Sequence, residues 1–157
     1  MQPVINQAHN YLVKYKKTIA VAESCTGGLI SYLLTQFPGS SQYFLLGVVA
    51  YSNKAKIDTL KIPAKLILKK GAVSKEIASK LASSVRKLAN TDFGIGITGI
   101  AGPTAGTLQK PKGTVFIAIH SKDKKICKRF LFKGSRIRIR INAALKALEL
   151  LKLLVTS

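Results

Sequence analysis

An α/β architecture follows from three features of the chain. Five short apolar runs recur along it, at 18–21, 43–51, 93–98, 114–120 and 126–132, and each has the length and the β-branched content of a strand. Between them lie segments of helical period, clearest at 74–88 and 137–154. The first and third runs break off into turns rich in glycine and hydroxyls, Ala22-Glu23-Ser24-Cys25-Thr26-Gly27-Gly28 and Thr98-Gly99-Ile100-Ala101-Gly102-Pro103. Strand ends of that kind are where open α/β sheets collect their sites.

Residues 2–16 read as an opening helix, because Val4, Ile5, Ala8, Tyr11, Leu12 and Tyr15 recur at three- and four-residue steps; His9, among polar neighbours, reads as a surface residue. The strand at 18–21 passes through the Ser24 turn into a helix whose Leu29, Leu33 and Leu34 share one face. Pro38-Gly39-Ser40-Ser41 ends it. The run 43–51 reads as a second buried strand closing on Tyr51-Ser52-Asn53, with Asn53 placed to cap a short helix carrying Lys56 one turn on. Pro63 opens a segment whose Lys69-Lys70-Gly71 end suits a helix C-terminus.

Ser74 then caps a helix with Ile77, Leu81, Val85 and Leu88 on its apolar face and Glu76 in its first turn. The third strand runs into a long glycine-rich loop, and loops of that length inside a domain are functional or flexible. The fourth and fifth strands are expected to pair antiparallel across Ser121-Lys122-Asp123, with His120 a structural residue at the end of the fourth. Gly134-Ser135-Arg136 leads into a last helix striped with Ile137, Ile141, Ala144, Leu145, Leu148, Leu151 and Leu154.

The 157 residues suffice for one domain with an ordinary core, and no repeat or linker divides 1–157. No apolar run is long enough to span a bilayer and the polar N-terminus has no signal-peptide core, so a cytoplasmic protein without membrane contact is expected. Cys25 and Cys127 make no disulfide framework, and six acidic residues with two histidines leave no metal spacing. The formal net charge of +20 favours partners that carry phosphate. Nucleic acid is the less favoured of these, because the lysines are dispersed, arginine is scarce, and no aromatic recurs with basic residues in a stacking pattern. A lysine-rich solvated surface accounts for the same charge.

The 22–28 turn carries two hydroxyls, a thiol and two glycines at the start of a helix. Unpaired N–H groups and the helix dipole suit an anionic group there. The turn reads equally well as a tight connection whose glycines supply positive φ. A serine nucleophile needs a base, and no His–Asp pair offers one. A lysine serves only if burial or neighbouring charge lowers its pKa.

Six segments taken together are similar to one known family. AESCTGG at 22–28, YSNKAK at 51–56, GAVS at 71–74, TGIAGP at 98–103, KPKGTV at 110–115 and the Gly-x-Arg at 134–136 resemble, in order and spacing, the C-terminal domain of the CinA family, the nicotinamide mononucleotide amidohydrolase domain. The resemblance implies a three-layer α/β/α domain around a mixed, mostly parallel sheet of about five strands, acting as a homodimer in its stand-alone form. It implies hydrolysis of the carboxamide of nicotinamide mononucleotide, with no cofactor and no metal, by a serine working with lysine and tyrosine. Carried over by position, these are Ser24, Lys56 and Tyr51, with Thr26, Gly27, Gly28, Asn53, Thr98, Gly99, Gly102 and Arg136 in substrate binding. Backbone N–H groups from Cys25 to Gly28 are expected to hold the oxyanion, and Arg136 the phosphate.

Three positions depart from the family pattern, each losing an acidic or flexible element: Lys54 after YSN, Ser135 before the last arginine, and Thr104-Ala105-Gly106 in the long loop. Two rival readings follow, with amide hydrolysis on another pyridine nucleotide a weaker third. In one, Cys25 at the same helix start is the nucleophile and His120 its base. In the other, catalysis is lost and the basic domain is a nucleic-acid- or nucleotide-binding module.

Overall fold

The computed structural model describes residues 2–155; residues 1, 156 and 157 of the expected 1–157 domain lie outside the described residues. The strands are β1 (Ile19–Glu23), β2 (Phe44–Val49), β3 (Phe93–Gly99), β4 (Thr114–His120) and β5 (Lys125–Leu131). The helices are α1 (Gln2–Lys14), α2 (Leu29–Leu34), α3 (Asn53–Leu60), α4 (Ala64–Lys70), α5 (Lys75–Ala89) and α6 (Arg136–Val155). The sheet order is β2-β1-β3-β4-β5. β1 pairs in parallel with β2 and β3, while β4 is antiparallel to β3 and to β5. Four of the five strands therefore run the same way, and the mixed, mostly parallel α/β sheet is as expected.

Every residue of β1 is buried, and alternation sends its side chains to two different cores. Ile19 and Val21 join Ile5, Leu12, Ile30 and Leu148, the layer of α1, α2 and α6. Ala20 and Ala22 face Leu60, Ile67, Ile77 and Leu81, the layer of α3, α4 and α5. Three layers result. On the second face α5 lies unusually close to β3: a Cβ at Gly96 would stand 2.2 Å from the Ala78 carbonyl and 2.4 Å from the Ala82 N–H nitrogen.

Several local expectations change. β2 is an edge strand and alternates between half-buried and exposed residues instead of being buried throughout. α2 touches its outer face at Gly47, where a Cβ would stand 2.5 Å from the Ser31 hydroxyl, while Leu45 and Val49 remain 49% exposed. Ser52, not Asn53, caps α3, its hydroxyl accepting from the Ala55 N–H at 3.0 Å. Leu88 and Ile137 fall off their helices' buried stripes and are exposed. His9 is tied into the fold, stacking on Phe37 with Nδ1 3.1 Å from the Tyr43 hydroxyl. Ser74 caps α5 as expected, accepting from the Ile77 N–H at 3.3 Å. Among the described residues no helix is long and apolar enough to cross a membrane.

Candidate active site

Ser24 is the first residue past β1, and the sheet fixes it from both sides. Its N–H donates to the Ile97 carbonyl of β3 at 3.1 Å, and the Ala50 N–H beyond β2 donates to the Glu23 carbonyl at 2.8 Å. The ladder thus extends one residue past the strand ends before the turn begins. From the next crossover, α3 points Lys56 back under this rim. Lys56 is 1% exposed, and its Nζ lies 3.2 Å from Ser24 Oγ, 2.9 Å from the Ala50 carbonyl and 3.2 Å from the Tyr51 carbonyl.

That geometry has a specific proton logic. Burial lowers the pKa of Lys56 below the ordinary lysine value, against an opposing effect of charge at Cys25. A neutral amine has two N–H donors and one lone pair. The two carbonyls take the donors, which leaves the lone pair for the Ser24 hydroxyl proton. Protonated, the same nitrogen donates to all three oxygens.

A cavity of about 210 Å³ opens above this pair, and Ser24, Tyr51, Asn53, Lys56, Thr98, Gly99 and Arg136 all line it. Thr98 is committed to the fold, its hydroxyl donating to the Ala72 carbonyl at 2.8 Å. Arg136, at the first turn of α6, donates through Nη2 to the Tyr51 hydroxyl at 2.7 Å and through Nη1 to the Gly102 carbonyl. It straps Tyr51, which is 58% exposed, to the long loop, and Gly102 meets the site through this strap.

Thr26, Gly27 and Gly28 stand apart from the cavity wall. The Gly27 N–H donates to the Ser24 carbonyl at 3.1 Å. The Gly28 N–H donates to the Glu23 carboxylate at 3.1 Å. Neither is free for an oxyanion, which corrects that part of the expectation. No backbone carbonyl or carboxylate among the described residues accepts from the N–H groups of Cys25 and Thr26, so these are the donors left.

Two supporting residues escaped the sequence reading. Glu23, fully buried, accepts from the N–H groups of Gly28, Ile30 and Ser31 and from the Ser31 hydroxyl, at 2.8–3.1 Å. A carboxylate closing a strand just before a Gly-Gly turn was the available signal. Arg140 of α6 donates to the Thr26 carbonyl through Nη2 at 2.8 Å and Nε at 3.3 Å, pinning the turn from the far side. No local pattern links positions 114 residues apart.

The three departures take ordinary structural parts. Lys54 pairs with Asp58 on the exposed side of α3. Ser135 accepts from the Arg138 N–H at 3.3 Å, at the start of α6. The long loop closes on itself through a bridge between Gly106 and Pro111 and the Lys112 N–H donating to the Ala105 carbonyl at 2.6 Å.

The Cys25–His120 pairing does not form. His120 sits opposite Gly94 in the register of β3 and β4, whereas Ser24 bonds to Ile97. Three residues of strand, about 10 Å, separate the two levels. Cys25 borders the cavity, but burial pushes its thiol pKa up to about 12.

The CinA C-terminal domain family model matches residues 1–155. The CinA-like protein of Desulfotalea psychrophila is 47% identical over 152 residues, covering 97% of this chain and 36% of that protein. The CinA-like protein of Syntrophus aciditrophicus is 47% identical over 142 residues, covering 90% of this chain and 34% of that protein. The chain thus spans about a third of the length of these curated relatives. Among solved structures, the competence damage-inducible protein A from Klebsiella pneumoniae superposes with a TM-score of 0.94 at 28% identity, covering 98% of this chain and 96% of that one. The competence/damage inducible protein from Agrobacterium tumefaciens gives 0.92 at 31% identity, covering 98% and 96%. With a family match over nearly its whole length, and relatives and structures agreeing, the chain belongs to the CinA C-terminal domain family.

Proposed function

We propose that this chain is an amidohydrolase that converts the carboxamide of nicotinamide mononucleotide to nicotinic acid mononucleotide and ammonia. The observation that carries the reading is the buried Lys56 amine, held by two carbonyls and 3.2 Å from the Ser24 hydroxyl. An amine so placed is a base with one available lone pair and one hydroxyl in reach.

Ser24 Oγ attacks the carboxamide carbon as its proton passes to Lys56 Nζ. The carbonyl oxygen becomes an oxyanion at the N–H of Cys25, the residue after Ser24 and also on the cavity wall, where one donor is worth about 3–4 kcal/mol of barrier. The C–N bond then breaks, the Lys56 ammonium returns the proton to the leaving nitrogen, and ammonia departs from an acyl-serine. Water, deprotonated by the neutral Lys56, adds to the acyl carbon, and collapse restores Ser24 and yields the carboxylate. The Tyr51 hydroxyl, freed when Arg136 turns to the phosphate, gives the departing nitrogen a hydrogen bond while Lys56 supplies the proton. The small cavity takes the pyridine carboxamide, and the phosphate lies at its rim. There the Arg136 fork exchanges Tyr51 and the Gly102 carbonyl for phosphate oxygens. In this reading the chain works as one domain and as a homodimer in the cytoplasm, in pyridine nucleotide recycling, without a cofactor.

Ammonia release from nicotinamide mononucleotide tests the proposal, with wild type beside Ser24→Ala and Lys56→Met. Turnover lost in both variants, with circular dichroism unchanged, is the expected result. A wild type that releases no ammonia across pH overturns it. Nicotinamide riboside, which lacks the phosphate, serves as the comparison substrate for Arg136: its turnover should be poor in wild type and little altered by Arg136→Ala.

A further inference from the structure

A second concave surface lies between α5 and the β4–β5 hairpin, a cavity of about 530 Å³ walled on one side by the face of α5 from Glu76 to Lys87. That face is about 17 Å of helix axis. Lys80, Arg86, Lys87, Lys122 and Lys125 line it. The one carboxylate on its wall, Glu76, is taken by Lys70 at 3.1 Å. An adjoining hollow of about 490 Å³ shares Arg86, Ser121 and Lys122 and adds Asp92 and Asp123. Of these Asp92 is bound to Thr18 and Lys17, and Asp123 lies in the hairpin turn. Arg86 donates to the Thr91 carbonyl at 3.2 Å, and Glu76 is the one carboxylate that lines the groove with the five cations.

His120 is the second observation. It lines the same cavity, is 7% exposed, and its Nδ1 is buried with no hydrogen-bond partner. An unmet hydrogen bond on a buried ring is costly. The charged groups that act on the ring are Lys125 of β5 and Arg86 of α5; the β3 residue paired with it is Gly94, which carries no charge. Together with burial, these cations lower the pKa of His120. An anion held in the groove offsets both cations and so favours the protonated ring, whose Nδ1 lies out of solvent reach. Apart from the His120 ring, itself 7% exposed, the groove holds no aromatic side chain, and Leu66 is its apolar contribution. Bases would have nothing to stack on, so recognition rests on phosphate charge.

We propose that the groove between α5 and the β4–β5 hairpin is a second anion site that takes a chain of phosphates, as carried by inorganic tripolyphosphate or a nucleoside triphosphate. It stands independently of the chemistry at Ser24.

The test is calorimetric titration of the full chain with sodium tripolyphosphate, with ATP and with a short oligothymidylate, alongside NMR of the His120 ring. Lys80→Glu/Lys122→Glu places two reversed charges in the groove, and Lys14→Glu/Lys133→Glu applies the same change elsewhere. Tripolyphosphate and ATP are expected to bind alike, with affinity falling at least about tenfold in the groove variant and staying within about twofold in the other. The His120 resonances should shift on binding, with the ring's titration midpoint moving up. Equal losses in the two variants would reduce the binding to general charge and overturn the site. ATP binding without tripolyphosphate binding, preference for the oligothymidylate, or His120 resonances that do not respond would each overturn it as well.

Discussion

The Glu23 carboxylate accepts hydrogen bonds from both the N–H and the hydroxyl of Ser31, each at 2.8 Å. With Gly28 and Ile30 also donating to it, the start of α2 is filled by the protein's own anion. A helix N-terminus behind a Gly-Gly turn invites a phosphate, and here that place is taken. In the proposed reaction the phosphate is therefore left to side chains at the rim, Arg136 among them.

The first prediction concerns Glu23→Gln. An amide of the same shape keeps one acceptor oxygen but turns an NH2 toward N–H donors. Buried donors left unpaired against a neutral group cost about 2–3 kcal/mol. Urea unfolding should show a loss of that size, and turnover should fall with it, because the same turn positions Ser24.

The pH dependence of turnover should report Lys56. Burial puts its pKa below the ordinary 10.5, and the base is the neutral form. Turnover should therefore rise with pH through an inflection below 10.5, and Lys56→Arg should abolish it. Stability carries the same sign. Between the folded pKa and 10.5 the unfolded chain binds more protons, so stability from this group rises with pH across that window. Below the folded pKa the full cost of burying the ammonium is present. Lys56→Met should remove this slope from a stability series taken across alkaline pH.

Cys25 should behave as a buried core thiol. With its pKa pushed up to about 12 by burial and only 6% of its surface exposed, iodoacetamide near neutral pH should leave it unmodified in the native chain and label it on denaturation. Cys25→Ala should retain turnover within severalfold, in contrast to Ser24→Ala. Intact-mass and peptide analysis of the labelled protein separates Cys25 from Cys127.

Strand runs and turn chemistry picked out the turns at 22–28, 51–53 and 98–103, and the family resemblance named Ser24, Tyr51, Asn53, Thr98 and Gly99 in them; parallel strands bring such ends to one rim. Lys56 was within reach because a helix expected to be capped at Asn53 carries it one turn on. The Glu23 and Arg140 supports were not legible in the same way: Arg140 meets Thr26 only after the last helix has docked, and a strand-end glutamate looks the same whether it caps a helix or faces water. The burial of β2 was misread for a related reason. An apolar run records hydrophobicity but not how many neighbours a strand has, and β2 has only β1.

Asp92 gives a prediction at the other end of the sheet. It accepts from the Thr18 N–H at 2.9 Å and the Thr18 hydroxyl at 3.0 Å, with Lys17 at 3.5 Å, so it clasps the entrance of β1 to that of β3. Burial alone would raise its pKa, but the Thr18 donors and the Lys17 ammonium together outweigh it and hold the carboxyl below its ordinary 3.8. A depressed folded-state pKa means that the unfolded chain binds more protons as the solution is acidified. The contribution is complete above 3.8 and is lost as pH falls through the lower folded value. Because the carboxylate is 39% exposed, solvent screens it, and Asp92→Asn should cost about 1 kcal/mol at neutral pH. Unfolding measured from neutral to strongly acidic pH should show the gap between wild type and variant closing below 3.8. A gap that persists unchanged to the lowest pH would assign the clasp to the Thr18 hydroxyl and leave the carboxylate no part in it.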